Sequence, residues 1–350
     1  MSRSGHRTRI TLPVTFLLPL LAAILTTVCA MSGSAGASPA PGTGSAEIVF
    51  SNGGRILRMN ADGSGREVIF GRDRNPVNDE FGAVEPAVSA DGRKIVFGFR
   101  REAAYDSLTD IWVMNSDGSA ARRLLRSNRN DQFGDPAFTA KGRIIVAQFR
   151  HHGRRGEARV FTMDLDGKQR RTMLRLPQRM RPWVGWRSFA EPSLSTDGRR
   201  LLYLLDPGYE GTFFRGGYRS ALRVLELSTK KGRKLSDYSL GGVFSPDGRR
   251  IAYSEVDPVG ADDYCWNLGE PCSAFSRVRV VRSNGKGVRD LTSGVADERS
   301  PDWSADGRIV LQSSRGADRG TAETTEIWSV LPDGRCLTRL TNGSPASLAP

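Results

Sequence analysis

Histidine is nearly missing from this chain, with three in 350 residues. His6 precedes the first apolar run, and the other two, His151 and His152, are neighbours placed in a loop by the pattern around them. Adjacent residues on an extended segment point opposite ways, so the pair makes a poor chelate and cannot serve a Ser–His–Asp arrangement. No Gly-x-Ser-x-Gly occurs, which excludes the nucleophile elbow of a serine hydrolase. The four cysteines show no Cys-x-x-Cys spacing and no partnership with histidine that would suit zinc. Asp164 to Gly167 reads Asp-x-Asp-Gly, too few ligands for an EF-type calcium loop and better suited to a turn. No catalytic residue, resident metal or cofactor is expected on these grounds. Helical periodicity is also missing after the first apolar stretch.

Lysine is scarce (Lys94, Lys141, Lys168, Lys230, Lys231, Lys234 and Lys286), so arginine carries most of the formal net charge of +13. A basic exported protein could meet anionic wall polymers or phospholipid heads through long-range attraction. The plainer alternative is an arginine-rich composition with no partner behind it. Export itself is read from the start of the chain. Arg3, Arg7 and Arg9 precede an apolar Leu12 to Val28, and small residues follow. Residues 1–37 are expected to be a signal peptide, with Ala35-Gly36-Ala37 or Val28-Cys29-Ala30 as the cleavage site. Retention of residues 12–28 as a membrane anchor is the alternative, and a lipid on Cys29 a lesser one. Residues 38–45 form a Pro/Gly/Ser linker and residues 46–350 the folded domain. The expected location is secreted or envelope-associated, where nucleic acid is not an expected partner. An exporting compartment permits a disulfide between Cys265 and Cys272, which would leave Cys336 unpaired as a half-buried strand residue.

What is abundant is one phrase. Ser89 to Phe97, Thr139 to Val146, Ser195 to Tyr203, Ser245 to Tyr253 and Ser304 to Leu311 all place an Asp-Gly or Lys-Gly turn before an apolar run. Each unit continues through a variable loop, a second apolar run such as Asp110 to Asn115, another Asp-Gly, and a last short strand such as Ala121 to Leu125. Asp-Gly between apolar runs signals a hairpin, because a tight turn needs positive φ and glycine adopts it at little cost. Each unit is therefore four antiparallel strands, A to D. Units start near Gly82, Gly134, Ala190, Gly241 and Ser300, and four-stranded units at this spacing indicate a propeller. The B runs are apolar at consecutive positions, as sheets covered on both faces require. A partial unit from Ile48 to Phe70 has B, C and D but no A. The expected fold is an all-β, six-bladed β-propeller of four-stranded antiparallel blades. Its first blade is either closed by the short stretch Ser347-Leu348-Ala349-Pro350 or stays three-stranded.

The units resemble the TolB-type, WD40-like (PD40) propeller repeat. The resemblance rests on Pro301-Asp302-Trp303-Ser304-Ala305-Asp306-Gly307, Ser245 to Tyr253, Ile111-Trp112-Val113-Met114-Asn115 and Thr338-Arg339-Leu340-Thr341. It departs at Lys141, which replaces the turn aspartate, and at Gly241-Gly242, which replaces Glu-Pro in the fifth blade. It implies a six-bladed propeller without the α/β domain that precedes the propeller in TolB itself, and it does not carry over TolB's role in the Tol–Pal system.

Alternation of strand direction puts A–B and C–D turns on one face and B–C and D–A loops on the other. The long insertions, "DPGYEGTFFRGGYRS" and "DPVGADDYCWNLGEPCSAF", fall on the second face, where function is usually placed. Glu85, Asp135 and Glu191 occupy equivalent sites at the start of strand A and are expected to rim the channel. There they would either hold a cation or basic group or cap loop amides. Asn130 to Gly134 repeats Asn78 to Gly82 and reads as a structural turn with its phenylalanine wedged between blades. Trp183, Trp186, Phe213, Phe214, Tyr218 and Trp266 lie beside arginines and suit a peptide or sugar, or else pack the insertions onto the rim. The leading expectation is a monomeric, non-enzymatic module that binds an envelope or extracellular protein, peptide or glycan. The alternative is a carbohydrate-active lyase or hydrolase using the rim carboxylates.

Overall fold

Asp-Gly turns set the spacing of the strands in the computed structural model, which describes residues 47–71, 82–101, 108–179, 188–206, 220–256, 275–294, 296–304, 306–315, 326–341 and 347–348. Blade one holds β1 (Glu47–Asn52), β2 (Arg55–Asn60) and β3 (Glu67–Phe70). Blade two holds β4 (Gly82–Val88), β5 (Lys94–Arg100), β6 (Thr109–Asn115) and β7 (Arg122–Leu125). Blade three holds β8 (Asp131–Phe138), β9 (Ile144–His152), β10 (Arg155–Met163) and β11 (Arg171–Arg179). Blade four holds β12 (Ser188–Leu194), β13 (Arg200–Asp206), β14 (Ala221–Glu226) and β15 (Gly232–Ser236). Blade five holds β16 (Ser239–Phe244), β17 (Arg250–Val256), β18 (Ser276–Arg282) and β19 (Arg289–Asp290). Blade six holds β20 (Glu298–Trp303), β21 (Ile309–Ser313), β22 (Glu326–Val330) and β23 (Thr338–Arg339), and β24 (Ser347–Leu348) returns to blade one.

Each blade is a four-stranded antiparallel sheet, and blade one has the order β24-β1-β2-β3. The innermost strands touch in succession from β24 to β4, β8, β12, β16, β20 and back to β24, which closes the ring. Closure uses Ser347 and Leu348, paired with Ser51 and Phe50. Among the described residues there is no helix.

The repeated phrase has a local cause. In blade four the Ser195 hydroxyl donates to Asp197 (2.6 Å), Asp197 accepts from the Arg199 N–H (3.0 Å), and Ser195 Oγ accepts from the Arg200 N–H (2.9 Å). Gly198 sits at φ +69°, the left-handed conformation that completes the turn. The hydroxyl bond, with the Arg199 amide second, holds the Asp197 carboxyl below its ordinary pKa. Ser89/Asp91 and Ser245/Asp247 repeat the arrangement. In blade three, Lys141 stands at the aspartate position, and Thr139 Oγ1 keeps the bond from the Arg143 N–H (3.1 Å).

Consecutive apolar residues in the B strands serve opposite neighbours. Ile95 and Phe97 pack with Ile56 of blade one, while Val96 between them packs with Phe133, Ile144 and Val146 of blade three. Ile144 and Val146 face blade two, and Ile145 joins Leu201 and Tyr203 of blade four. Phe133 thus fills the seam between blades two and three and meets the Phe161 ring edge-on at 6.3 Å. Its counterpart Phe81 lies outside the described residues. Phe97 is fully buried, with its centroid 4.8 Å from that of Phe70. Phe97→Ala should therefore lower unfolding stability by about 3–5 kcal/mol, read from denaturant melts.

Two expectations are corrected. His151 and His152 end strand β9 beside the two-residue turn Gly153–Arg154, and the His151 ring stacks on Phe149 at 5.7 Å. Cys336 is disulfide-bonded, and it lies half-buried at the C–D turn with φ +55°, in no strand. Its partner is one of the other three cysteines, Cys29, Cys265 and Cys272, all of which lie outside the described residues. Residues 1–45, expected to hold the signal peptide or anchor and the linker, lie outside them too.

Candidate functional site

Every complete A strand carries a register shift at the same place. The slips fall between Val84 and Ala87, Gly134 and Ala137, Ala190 and Ser193, Ser239 and Gly241, and Arg299 and Asp302. Such a bulge re-aims one side chain. The residue at each slip has positive φ: Glu85 (52°), Asp135 (50°), Glu191 (46°), Gly241 (126°) and Ser300 (48°). For non-glycine residues this is a strained conformation of the kind that collects at functional sites. The three acids sit mid-strand in β4, β8 and β12, deeper in the channel than a position at the strand start would give.

The acids of blades two, three and four form a ladder. Glu85 Oε2 accepts from the Asp135 backbone N–H at 3.3 Å, and the Asp135 carboxyl accepts from the Glu191 N–H. Arg100 lies 3.7 Å from Glu85 Oε1. Glu85 and Asp135 therefore each cap an amide of the next blade, and the three carboxyls also crowd one another. Burial, then the neighbouring Glu85 charge, pushes the Asp135 carboxyl up to about 8. Burial, followed by Asp135 and Glu85, pushes Glu191 well above the carboxylate range. The ladder stops at blade five for a steric reason. A Cβ on Gly241 would fall 1.4 Å from Glu191 Oε2, so the Glu191 carboxyl occupies the space a side chain would need.

Below the ladder, toward the A–B turns, lies a cavity of about 310 Å³. Ala87, Ala137, Ser193, Val243 and Asp302 come from equivalent A-strand positions, and Glu47, Ile48 and Val49 of β1 complete the wall. Burial raises Asp302 to about 7 against a 2.7 Å bond from the Trp303 N–H, which pulls the other way. Asp302 was visible in the sequence only as part of the Pro-x-Trp phrase. The signal was an acid in a column otherwise filled by Ala87, Ala137, Ser193 and Val243. The cavity lies on the side of the tight turns, opposite the insertion face. Trp183, Trp186, Phe213, Phe214, Tyr218, Trp266, Cys265 and Cys272 all lie outside the described residues. Among the described residues no group of three or more His, Cys, Asp or Glu could hold a metal ion, and no helix is long and apolar enough to cross a membrane.

Six four-stranded blades around an acid-lined channel define a β-propeller. No family model matches the chain. Over 152 residues it is 30% identical to the Tol-Pal system protein TolB of Anaeromyxobacter dehalogenans strain 2CP-1 and to that of Anaeromyxobacter sp. strain K. The match covers 43% of this chain and 27% of each relative. Among solved structures it is similar to one from Agrobacterium tumefaciens assigned to TolB, with a TM-score of 0.54 and 14% identity, covering 87% of this chain and 90% of that one. At that identity the likeness speaks to the fold. The ring makes the chain a six-bladed β-propeller, and over part of its length its sequence is similar to TolB.

Proposed function

We propose that the chain is an exported, non-enzymatic binding module whose partner is an envelope protein, peptide or glycan. The observation that carries the reading is the channel cavity, where buried carboxyls and apolar A-strand residues face one space. A concave, mostly apolar site with a few convergent polar groups is how rigid scaffolds hold ligands. A basic group entering the channel would meet Asp135, Glu191 and Asp302, and draw their protons off as it bound. The relatives' name, Tol-Pal system protein, supports an envelope protein as the partner class, and the N-terminal pattern supports export. The insertion face with Trp186 and Phe214 is a second contact surface on this reading.

Glycosidic cleavage is the less favoured use. A general acid and its counterpart need carboxyls pushed apart in pKa. Asp135 and Glu191 are both pushed upward.

The test is capture from envelope extract with the full chain as bait. An Asp135→Asn/Asp302→Asn pair should lose most of the captured partner, and Trp186→Ala/Phe214→Ala should weaken capture further. No capture by the unaltered chain, or turnover of a polysaccharide panel abolished by Glu191→Gln, would reject the binding reading.

A further inference from the structure

Positive charge is not spread evenly around the ring. From its first strand to its last, blade three carries 11 Lys and Arg against five Asp and Glu, and blade four carries nine against five. Blades one, two and five balance, and blade six has one acid in excess. An arginine-rich composition alone would load every blade. Blade three also has the longest strands. β9, β10 and β11 have nine residues each, whereas the outer strands β7 and β15 have four and five. Its B–C connection closes in two residues, Gly153 at φ +57° and Arg154. This end of the blade is therefore a three-stranded ledge.

The ledge gathers arginines on one side. Phe161 of β10 packs toward blade two. By alternation Arg159, Glu157 and Arg155 lie on that same face. The register sets Arg175 opposite Arg159, Arg150 opposite Glu157 and His152 opposite Arg155. The guanidinium carbons of Arg159 and Arg170 lie 5.2 and 5.5 Å from the Phe161 ring centroid. Five arginines thus share the face with two strand acids, which hold only two of them. Arg150 pairs with Asp131 at 3.0 Å, and Arg175 donates to Glu157 at 2.6 Å. Among the described residues, Arg155 and its turn neighbour Arg154 are exposed and have no ion-pair partner. Like charges directly opposite one another, as Arg159 and Arg175 are, cost a sheet stability. Burial, then Arg150, lowers the Arg159 guanidinium pKa. An anion lying on this face would remove that repulsion.

We infer that the arginine face of blade three binds a linear, phosphate-bearing anionic polymer. Guanidinium forks match phosphate oxygens two at a time. Arg155 and Arg159 stand four residues apart on β10, about 13 Å, which suits a chain of charges better than a single ion. A bilayer fits less well, because a surface that beds into lipid sets apolar residues beside its basic ones. The large apolar residues exposed among the described residues are Val68, Val88, Phe275 and Val288, and none belongs to blade three. The surface is built from the second to fourth strands of one blade, away from the channel, and does not depend on what the channel holds.

The probe is long-chain inorganic polyphosphate, titrated into the full chain at several salt concentrations. The expected result is saturable binding whose log Kd rises linearly with log salt. Arg154→Glu/Arg155→Glu, on an exposed turn, should keep the denaturant melt unchanged. It should weaken binding about tenfold or more and flatten the salt slope by about two. Arg249→Glu/Arg289→Glu changes the net charge equally at exposed positions of blade five. Screening should hold its effect below about threefold. Equal losses in the two variants would assign binding to net charge and overturn the site. No binding of polyphosphate at low salt overturns it as well. Polygalacturonate bound as tightly as polyphosphate would overturn the phosphate assignment. Phosphatidylglycerol vesicles bound with the same dependence on Arg154 and Arg155 would overturn the polymer in favour of a membrane.

Discussion

Asp135→Asn is expected to stabilise the protein at pH 8 and flatten its stability–pH profile. A carboxyl raised to about 8 in the fold, from 3.8, binds its proton more tightly folded than unfolded. Between those values the folded state holds the extra proton, so stability is greatest at low pH and falls as pH rises. The limiting slope is about 1.36 kcal/mol per unit. A loss of roughly 2–4 kcal/mol between pH 5 and pH 8 is therefore expected for the unaltered chain. Asp302, raised to about 7 by burial, contributes in the same direction. Asparagine keeps an oxygen for the Glu191 N–H and removes the ionisation, so Asp135→Asn should recover about half of that loss. Chemical denaturation at several pH values reads the difference. Identical profiles for the two proteins would mean that Asp135 is ionised in the channel throughout.

The second large effect is steric. Gly241→Ala should cost about 3–5 kcal/mol, since the new Cβ meets the Glu191 carboxyl at 1.4 Å and the backbone sits at φ +126°. In a Glu191→Ala background the clash disappears and only the backbone strain remains. The double-mutant cycle should then show a coupling of about 2 kcal/mol or more. Additive effects would place the Glu191 carboxyl elsewhere than against blade five.

These two residues also mark where sequence reasoning stopped. Gly241-Gly242 stood out as a departure from the acid–proline pair of blades two to four. Its cause lay in the neighbouring blade, in a side chain fifty positions earlier, which no local pattern reveals. The ring itself was legible because the turn chemistry of Ser195, Asp197 and Gly198 is local and repeats. The paired apolar residues Ile95 and Val96 disclosed a sheet covered on both faces. Closure by Ser347 and Leu348 was likewise legible from the missing A strand of the first unit. The bulges were not, because a register slip leaves the alternation on either side intact. Glu85, Asp135 and Glu191 sit at these bulges, mid-strand rather than at the start of strand A. Asp302 escaped notice because its burial depends on strands from five other blades. Cys336 could not be paired from spacing alone, since connectivity is a property of the fold.

Site-specific carboxyl titration by NMR, with the Asp135 resonance assigned by its asparagine variant, tests most directly whether the channel keeps its acids neutral. The midpoint expected for Asp135 is near 8. A midpoint near 4 would contradict the buried ladder, and with it a channel prepared to exchange protons for a basic ligand.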